Sequence, residues 1–508
     1  MGSVFRLLYD SVMLGAMDPF ETVANLSRGI RSGQWSPVEI AEFFLDRIAR
    51  LDPALHSFLD VTRERALAEA RAAEAARKNG QDLGPLHGVP YSVKDLFGVR
   101  GHATTAGTRL LASNIAESDC AVVRRLTASG MVLLGKQHTV QFAFGMVGTN
   151  RDYGAPHNPW RREAYAPGGS SSGGAVAVAA GLAPASLGTD TGGSVRLPAA
   201  LCGIVGLKTT VGRVSRTGVY PLSRHLDSVG PLARTVEDVA LLYQGISGSD
   251  PADEATRGVG ADDVLRGLQD NVRGLRLAFG ETLFFDGVEP ETAKAVRAAG
   301  DVLRSLGASV ERKDVPEVAE AWKEPNRGLF VAAEACSENR ALLDDHMDEL
   351  DPFVAQRMIL GRKLSGVDAF TLLRRFAALR HAILETLRDV DALLVPASMD
   401  VARPLEDVTT SLETYLDYNL RLNRNAGLGN ILNLCGVSLP CGFTSAGLPI
   451  GLLIYAKPFQ EATALRVARA YERATSWHER RPDLAWALEA SSAGSKPGAG
   501  SSQPARQS

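Results

Sequence analysis

The chain has 508 residues, 45% hydrophobic and 22% charged, with a formal net charge of -3. That balance is ordinary for a globular protein with a large core, and it lacks the basic surplus that marks binding to nucleic acid or anionic membrane. Its five cysteines, Cys120, Cys202, Cys336, Cys435 and Cys441, are scattered without a CxxC pair, which argues against a disulfide framework or a cysteine zinc site and for reduced thiols in a cytoplasmic protein.

Taken in chain order, the opening MGSVFRLLYDSVMLGAM has one Arg and an Asp that interrupts its apolar stretch, so it does not read as a signal peptide. Residues 1–19 are read as an N-terminal extension. No stretch approaches the roughly eighteen consecutive apolar residues of a membrane span. Ser36-Pro37-Val38-Glu39 is a helix start, with Ser as N-cap, Pro at the first helical position and Glu closing a capping box. Ile40, Phe43, Phe44 and Ile48 follow at helical spacing. Arg63 to Lys78 reads as a solvated helix on an alanine stripe, ended by Asn79-Gly80. From Leu86 onward short apolar runs alternate with helical stretches. Val89–Val93, Met131–Leu134, Ile204–Leu207 and Ala392–Val395 are expected as buried strands, Ala121–Ser129 and Thr235–Tyr243 as helices, which together predict an α/β fold. Residues 250–390 read as a helical, charged insertion on the edge of one domain. The end, Ser491–Ser508, is rich in Gly, Ser, Pro, Gln and Ala, and a disordered tail is expected over 489–508.

The most unusual stretch is Pro167–Pro198, PGGSSSGGAVAVAAGLAPASLGTDTGGSVRLP. A Gly/Ser run alone is most often a flexible linker. This one feeds directly into the apolar helix Ala175–Gly181, so its glycines instead bring backbone close to backbone or ligand and leave N–H groups for an anion. Gly130 to Gln137, GMVLLGKQ, nearly spells a nucleotide loop, but it lacks the Ser/Thr for magnesium and has a strand at its middle. Gly169–Gly173 also fits G-x-S-x-G, which makes Ser171 a second candidate nucleophile. That motif needs a preceding strand, and Arg161–Pro167 is not one. None of the nine histidines sits in a metal-ligand spacing, and His87, His138 and His225 are read as structural. No cofactor and no metal is expected.

The run Gly168–Ala199 closely resembles the amidase signature family. So do His87-Gly88-Val89-Pro90-Tyr91-Ser92-Val93-Lys94-Asp95, Gly206-Leu207-Lys208, Gly212-Arg213-Val214-Ser215, Leu226-Asp227-Ser228-Val229-Gly230-Pro231 and Pro440-Cys441-Gly442-Phe443 with Gly447-Leu448-Pro449-Ile450-Gly451. The resemblance implies one domain over residues 20–488 with a large mixed β-sheet covered by helices on both faces. It implies Ser194 as nucleophile, Lys94 as base, and Ser170 as a bridging serine after a cis peptide bond. The oxyanion hole maps to the backbone N–H groups of Thr191, Gly192, Gly193 and Ser194. The roles are chemically coherent. A serine hydroxyl needs an adjacent base, and burial can bring a lysine from about 10.4 to roughly 7–8, where it can act as one. Asp190 and Arg196 are expected to brace the loop as an ion pair.

The activity implied is hydrolysis of a carbon–nitrogen bond in a small-molecule amide or carbamate through an acyl-enzyme. The expected partners are that substrate and water, without nucleic acid or membrane; a homodimer is allowed. A second possibility is the glutaminase A subunit of a tRNA-dependent amidotransferase, which shares the signature. Two departures from that subunit favour a stand-alone amidase: Gly135-Lys136-Gln137-His138-Thr139-Val140-Gln141-Phe142 lacks the usual acidic segment, and Leu197 stands where Gln is usual.

Overall fold

A computed structural model describes residues 17–494. The expectations for the first sixteen residues and for the tail beyond 494 lie outside them. The chain builds a single α/β domain around one sheet. Its eleven strands are β1 (Phe58–Val61), β2 (Pro90–Lys94), β3 (Val132–Gln137), β4 (Ala185–Asp190), β5 (Val205–Lys208), β6 (Ser228–Ala233), β7 (Arg276–Gly280), β8 (Ser309–Lys313), β9 (Ala392–Pro396), β10 (Cys435–Phe443) and β11 (Pro449–Ala456). They lie in the order β1-β3-β2-β4-β6-β5-β10-β11-β9-β7-β8. The sheet is mixed: β2 runs parallel to β3 and β4, and β7 parallel to β8 and β9. The pairs from β4 through β6, β5, β10 and β11 to β9 are antiparallel.

Every residue of β2, β3, β4, β5, β6, β9 and β11 is buried. Side chains alternate between the faces of a strand, so burial at every position means that helices cover both faces. The helix Pro37–Leu55 begins with the expected capping box on Ser36 and Glu39. The helix Arg63–Lys78 buries Ala66, Ala70 and Ala73, and Val236–Ile246 is capped by Thr235.

The sequence reading does not single out β1, β10 or β11, and two further stretches differ from it. Residues 250–390 are not purely helical, because β7 and β8 extend the sheet there. β8 is SVERK with one buried residue, a polar edge strand with almost no apolar alternation to announce it. The second stretch is central. β4 (ASLGTD) and β6 (SVGPLA) are built from small and polar residues without a hydrophobic run. Small residues are what the packing there accepts: a Cβ on Gly230 of β6 would lie 1.9 Å from the carbonyl oxygen of Leu207 on β5. The helix Ala485–Gly494 crosses the boundary expected for the tail at 489.

Candidate active site

Lys94 ends β2, and Thr189-Asp190 end the parallel neighbour β4, so sheet register alone puts these side chains at one edge of the core. The Gly169–Ser170 peptide is cis, and Ser170 lies just before the buried helix Ser172–Ala179. The Lys94 Nζ donates to Ser170 Oγ at 2.7 Å and to Thr189 Oγ1 at 2.8 Å. Burial brings Lys94 down to about 7, against the opposing pull of the Asp227 and Asp190 charges. A lysine held there is half neutral near physiological pH and has the protonation state a general base requires.

The Ser171 N–H donates to the Ser194 carbonyl at 3.1 Å, which seats the nucleophile candidate beside the cis-peptide loop. Ser194 is 1% exposed, and its hydroxyl meets the Met146 sulfur at 3.9 Å. The loop that carries it is held from below by a network without exposed atoms. Arg196 reaches Asp190 through Nη2 at 2.8 Å and Nε at 3.0 Å, Tyr455 Oη at 2.6 Å and Asn430 Oδ1 at 2.7 Å. These partners hold Asp190 well below the usual carboxylate range despite its burial. The expected brace is therefore present.

Asp190 also accepts the Gly193 N–H at 2.9 Å and that of Val195 at 3.1 Å. The Gly193 N–H, on a residue with φ 121°, is thus engaged by the brace, whereas the oxyanion-hole expectation counts it among the donors. The N–H groups of Thr191, Gly192 and Ser194 find no acceptor among the described residues. Asn423 Nδ2 donates to the Gly192 carbonyl at 2.7 Å, so the Gly192–Gly193 peptide is fixed at both its oxygen and its nitrogen. Sequence reasoning misses Thr189 and Asn423. Thr189 lies within the signature run, where position alone could have flagged it, whereas nothing local marks Asn423.

The alternative nucleophile is differently placed. Ser171 Oγ donates to the Thr189 carbonyl at 3.3 Å, and no strand precedes it. His138 bonds Ser172 Oγ and the Gly154 carbonyl, His87 bonds the Ala73 carbonyl, and His225 pairs with Glu334. Lys136, in the near-nucleotide motif, pairs with Asp95 at 2.7 Å inside the core.

In front of Thr191 and Gly192 opens a cavity of about 550 Å³. Besides Thr191 and Gly192, its walls come from four stretches: Phe144 and Met146, then Leu222 and Leu226, then Trp322, Arg327 and Arg357 of the 250–390 region, and Asn423 of the helix Leu412–Ile431. It is mostly apolar, with two guanidinium groups. On the other side of Thr189 and Asp227 lies a cavity of about 730 Å³ that also reaches the charged residues Arg216, Arg224 and Asp253.

Residues 39–465 match the Amidase family. The A subunit of the glutamyl-tRNA(Gln) amidotransferase of Chloroflexus aggregans is 40% identical, over 91% of this chain and 98% of that one. The protein of the same name from Gloeobacter violaceus is 37% identical, again over 91% and 98%. Among solved structures, the peptide amidase of Stenotrophomonas maltophilia superimposes with a TM-score of 0.79 at 29% identity, over 91% of this chain and 98% of that one.

These relatives correct two expectations. The main expectation, a stand-alone hydrolase of a small-molecule amide or carbamate, gives way to the amidotransferase reading, because the full-length relatives carry that name. The departures that pointed the other way are packing positions: Gln137 and Gln141 are buried and bond Ser186, Asp152 and Asp351, and Leu197 is a core side chain. They report on how this core is filled, not on whether the chain has partners. The expectation of no nucleic acid falls with it, since the relatives are subunits of an enzyme named for a tRNA. The net charge of one chain says little about an assembly in which other subunits can carry the contact. A match over most of its length and relatives of full length together show that the chain belongs to the amidase signature family, enzymes that act on carbon–nitrogen bonds.

Proposed function

We propose that the chain is the A subunit of a glutamyl-tRNA(Gln) amidotransferase and releases ammonia from the side-chain carboxamide of glutamine. The observation that carries this is the 40% identity to a protein of that name over nearly the full length of both chains. In the mechanism, Ser194 Oγ attacks the carboxamide carbon while its proton passes through Ser170 Oγ to neutral Lys94. The tetrahedral oxygen is received by the N–H groups of Thr191, Gly192 and Ser194. The proton returns by the same route to the leaving nitrogen, ammonia departs, and water then cleaves the acyl-serine by the same relay. The short Lys94–Ser170 bond and the lowered Lys94 support the relay. Arg327 and Arg357 in the cavity wall suit the α-carboxylate of the substrate.

The same reading takes residues 20–488 as the catalytic domain, with 250–390 as its edge region, and places the protein in the cytoplasm. All five thiols are buried and free, and no described helix is long and apolar enough to cross a membrane.

The test is isolation of the tagged chain from its own host, with mass spectrometry of what accompanies it and an ammonia assay with glutamine. The expected result is a complex with further subunits whose ammonia release rises when glutamyl-tRNA(Gln) is added. A chain that purifies alone and leaves glutamine intact while it cleaves simple amides would overturn the proposal.

A further inference from the structure

Asp227 stands in the sequence only as part of a family landmark, and the mechanism above gives it no part. It follows the turn 224–226, immediately before β6, and is 8% exposed. One carboxylate oxygen accepts the Thr191 hydroxyl, and the other accepts the N–H groups of Leu222 and Ser223 at 2.9 and 3.0 Å. Leu222 and Leu226 form a wall of the substrate cavity, together with Thr191 and Gly192.

We propose that Asp227 is a positioning residue for the acyl-transfer step, tying the Thr191 hydroxyl to the 222–223 backbone so that the oxyanion loop and the cavity wall keep one mutual geometry. The inference rests on the assignment of Lys94, Ser170 and Ser194 above.

The charges around it make its own charge count. Asp190, the other acid acting on Lys94, is compensated by Arg196 at 2.8 Å. Arg216, whose Nη1 reaches the Asp227 carbonyl at 3.5 Å, is paired with Asp253. Arg224 is paired with Glu338, and Glu334 with His225. Asp227 therefore shares its one acting cation, Arg216, with Asp253, and its charge also acts on Lys94. Burial raises the Asp227 carboxyl to about 6, so above that pH its charge favours the protonated form of Lys94. Removal of the charge lets Lys94 lose its proton at lower pH.

The test is the rate at which a fluorophosphonate labels Ser194 in the full-length chain, followed by peptide mass spectrometry from pH 5.5 to 9. For Asp227→Asn the rising limb should move down by about half a pH unit, and the plateau should fall about tenfold. Thr191→Val should lower the plateau without moving the limb. The double variant should be no slower than the worse single variant, because both break one contact. Thr191→Ser, which restores the hydroxyl, should label several-fold faster than Thr191→Val; this pair still decides the matter if Asp227→Asn does not fold. An unmoved limb and plateau in Asp227→Asn, multiplied losses in the double variant, or equal rates for Val and Ser at 191 would each overturn the inference. A parent chain labelled elsewhere than Ser194 would instead bring down the catalytic assignment, and this inference with it.

Discussion

Lys94 is the residue on which chemistry and stability pull in opposite directions. It is 1% exposed, and burial takes it from its ordinary 10.5 to about 7. Between those two values the unfolded chain holds a proton that the folded chain does not, so this group's contribution to stability rises with pH across that window and is flat below it. Lys94→Met should therefore raise the melting temperature most at pH 6, and its advantage over the parent should shrink steadily toward pH 10. Thermal melts in a buffer series read this directly; a constant difference would mean that Lys94 is protonated throughout. The same variant should lose at least about a thousandfold in ammonia release, and Lys94→Arg should not recover it, because a guanidinium keeps its proton. Near-normal turnover with Arg at 94 would exclude lysine as the base. Ser194→Ala should abolish fluorophosphonate labelling, whereas Ser171→Ala should leave the adduct in place, since Ser171 spends its hydroxyl on the Thr189 carbonyl.

At the scale of elements, the decisive unit is the turn from β4 into the helix Arg196–Cys202. Its geometry depends on the fully buried Asp190–Arg196 pair, which holds two loop N–H groups and reaches β11 through Tyr455 and the helix Leu412–Ile431 through Asn430. Loss of one member leaves the other charged, buried and unpaired, a cost of about 3–5 kcal/mol. Arg196→Met should therefore lower the denaturant midpoint sharply and labelling at Ser194 with it. Retained stability would show that the network is dispensable. A second element-scale prediction concerns strand approach: Gly230→Ala puts a Cβ against the Leu207 carbonyl, which β5 and β6 can accommodate only by separating. Its denaturant midpoint should fall clearly below that of the parent.

At the scale of the whole molecule, the cavity belongs to no single segment. Phe144 precedes the signature, Arg357 lies in the 250–390 region, and Asn423 comes from the helix before β10. If that molecule works within an assembly, partners that bind only the folded chain stabilise it by mass action. The chain co-purified with its partners should melt several degrees above the chain alone, and the gap should close on dilution. Among the described residues no group of three or more potential ligands could hold a metal ion. Because the proposed relay moves its proton between Ser194, Ser170 and Lys94, ammonia release should survive prolonged chelation, and activity lost to a chelator and restored by zinc would refute the metal-free relay.

Read alone, the sequence specifies the family, the α/β class and four of the strands with apolar runs, β2, β3, β5 and β9, because a motif of thirty residues and a buried hydrophobic run are both local signals; it leaves β11, equally apolar, unmarked. It also marks Lys94, Ser170 and Ser194 together, although they are spread over a hundred positions. It does not mark β4 or β6, since a strand squeezed between close neighbours is written mostly in small residues such as Ala, Ser and Gly, with apolar side chains too scattered to form a run. Folding settles which backbone donors stay open: the Gly193 N–H is taken by a carboxylate three residues earlier in the chain, a matter of loop geometry that composition does not encode. Folding also places Thr189 against Lys94 and Asn423 against Gly192, contacts across 95 and 231 positions that no local pattern announces. The departures at 137–141 and at Leu197 mislead for the same reason, since their side chains fill and bond the core, and burial is fixed by the folded neighbours rather than by the residue itself.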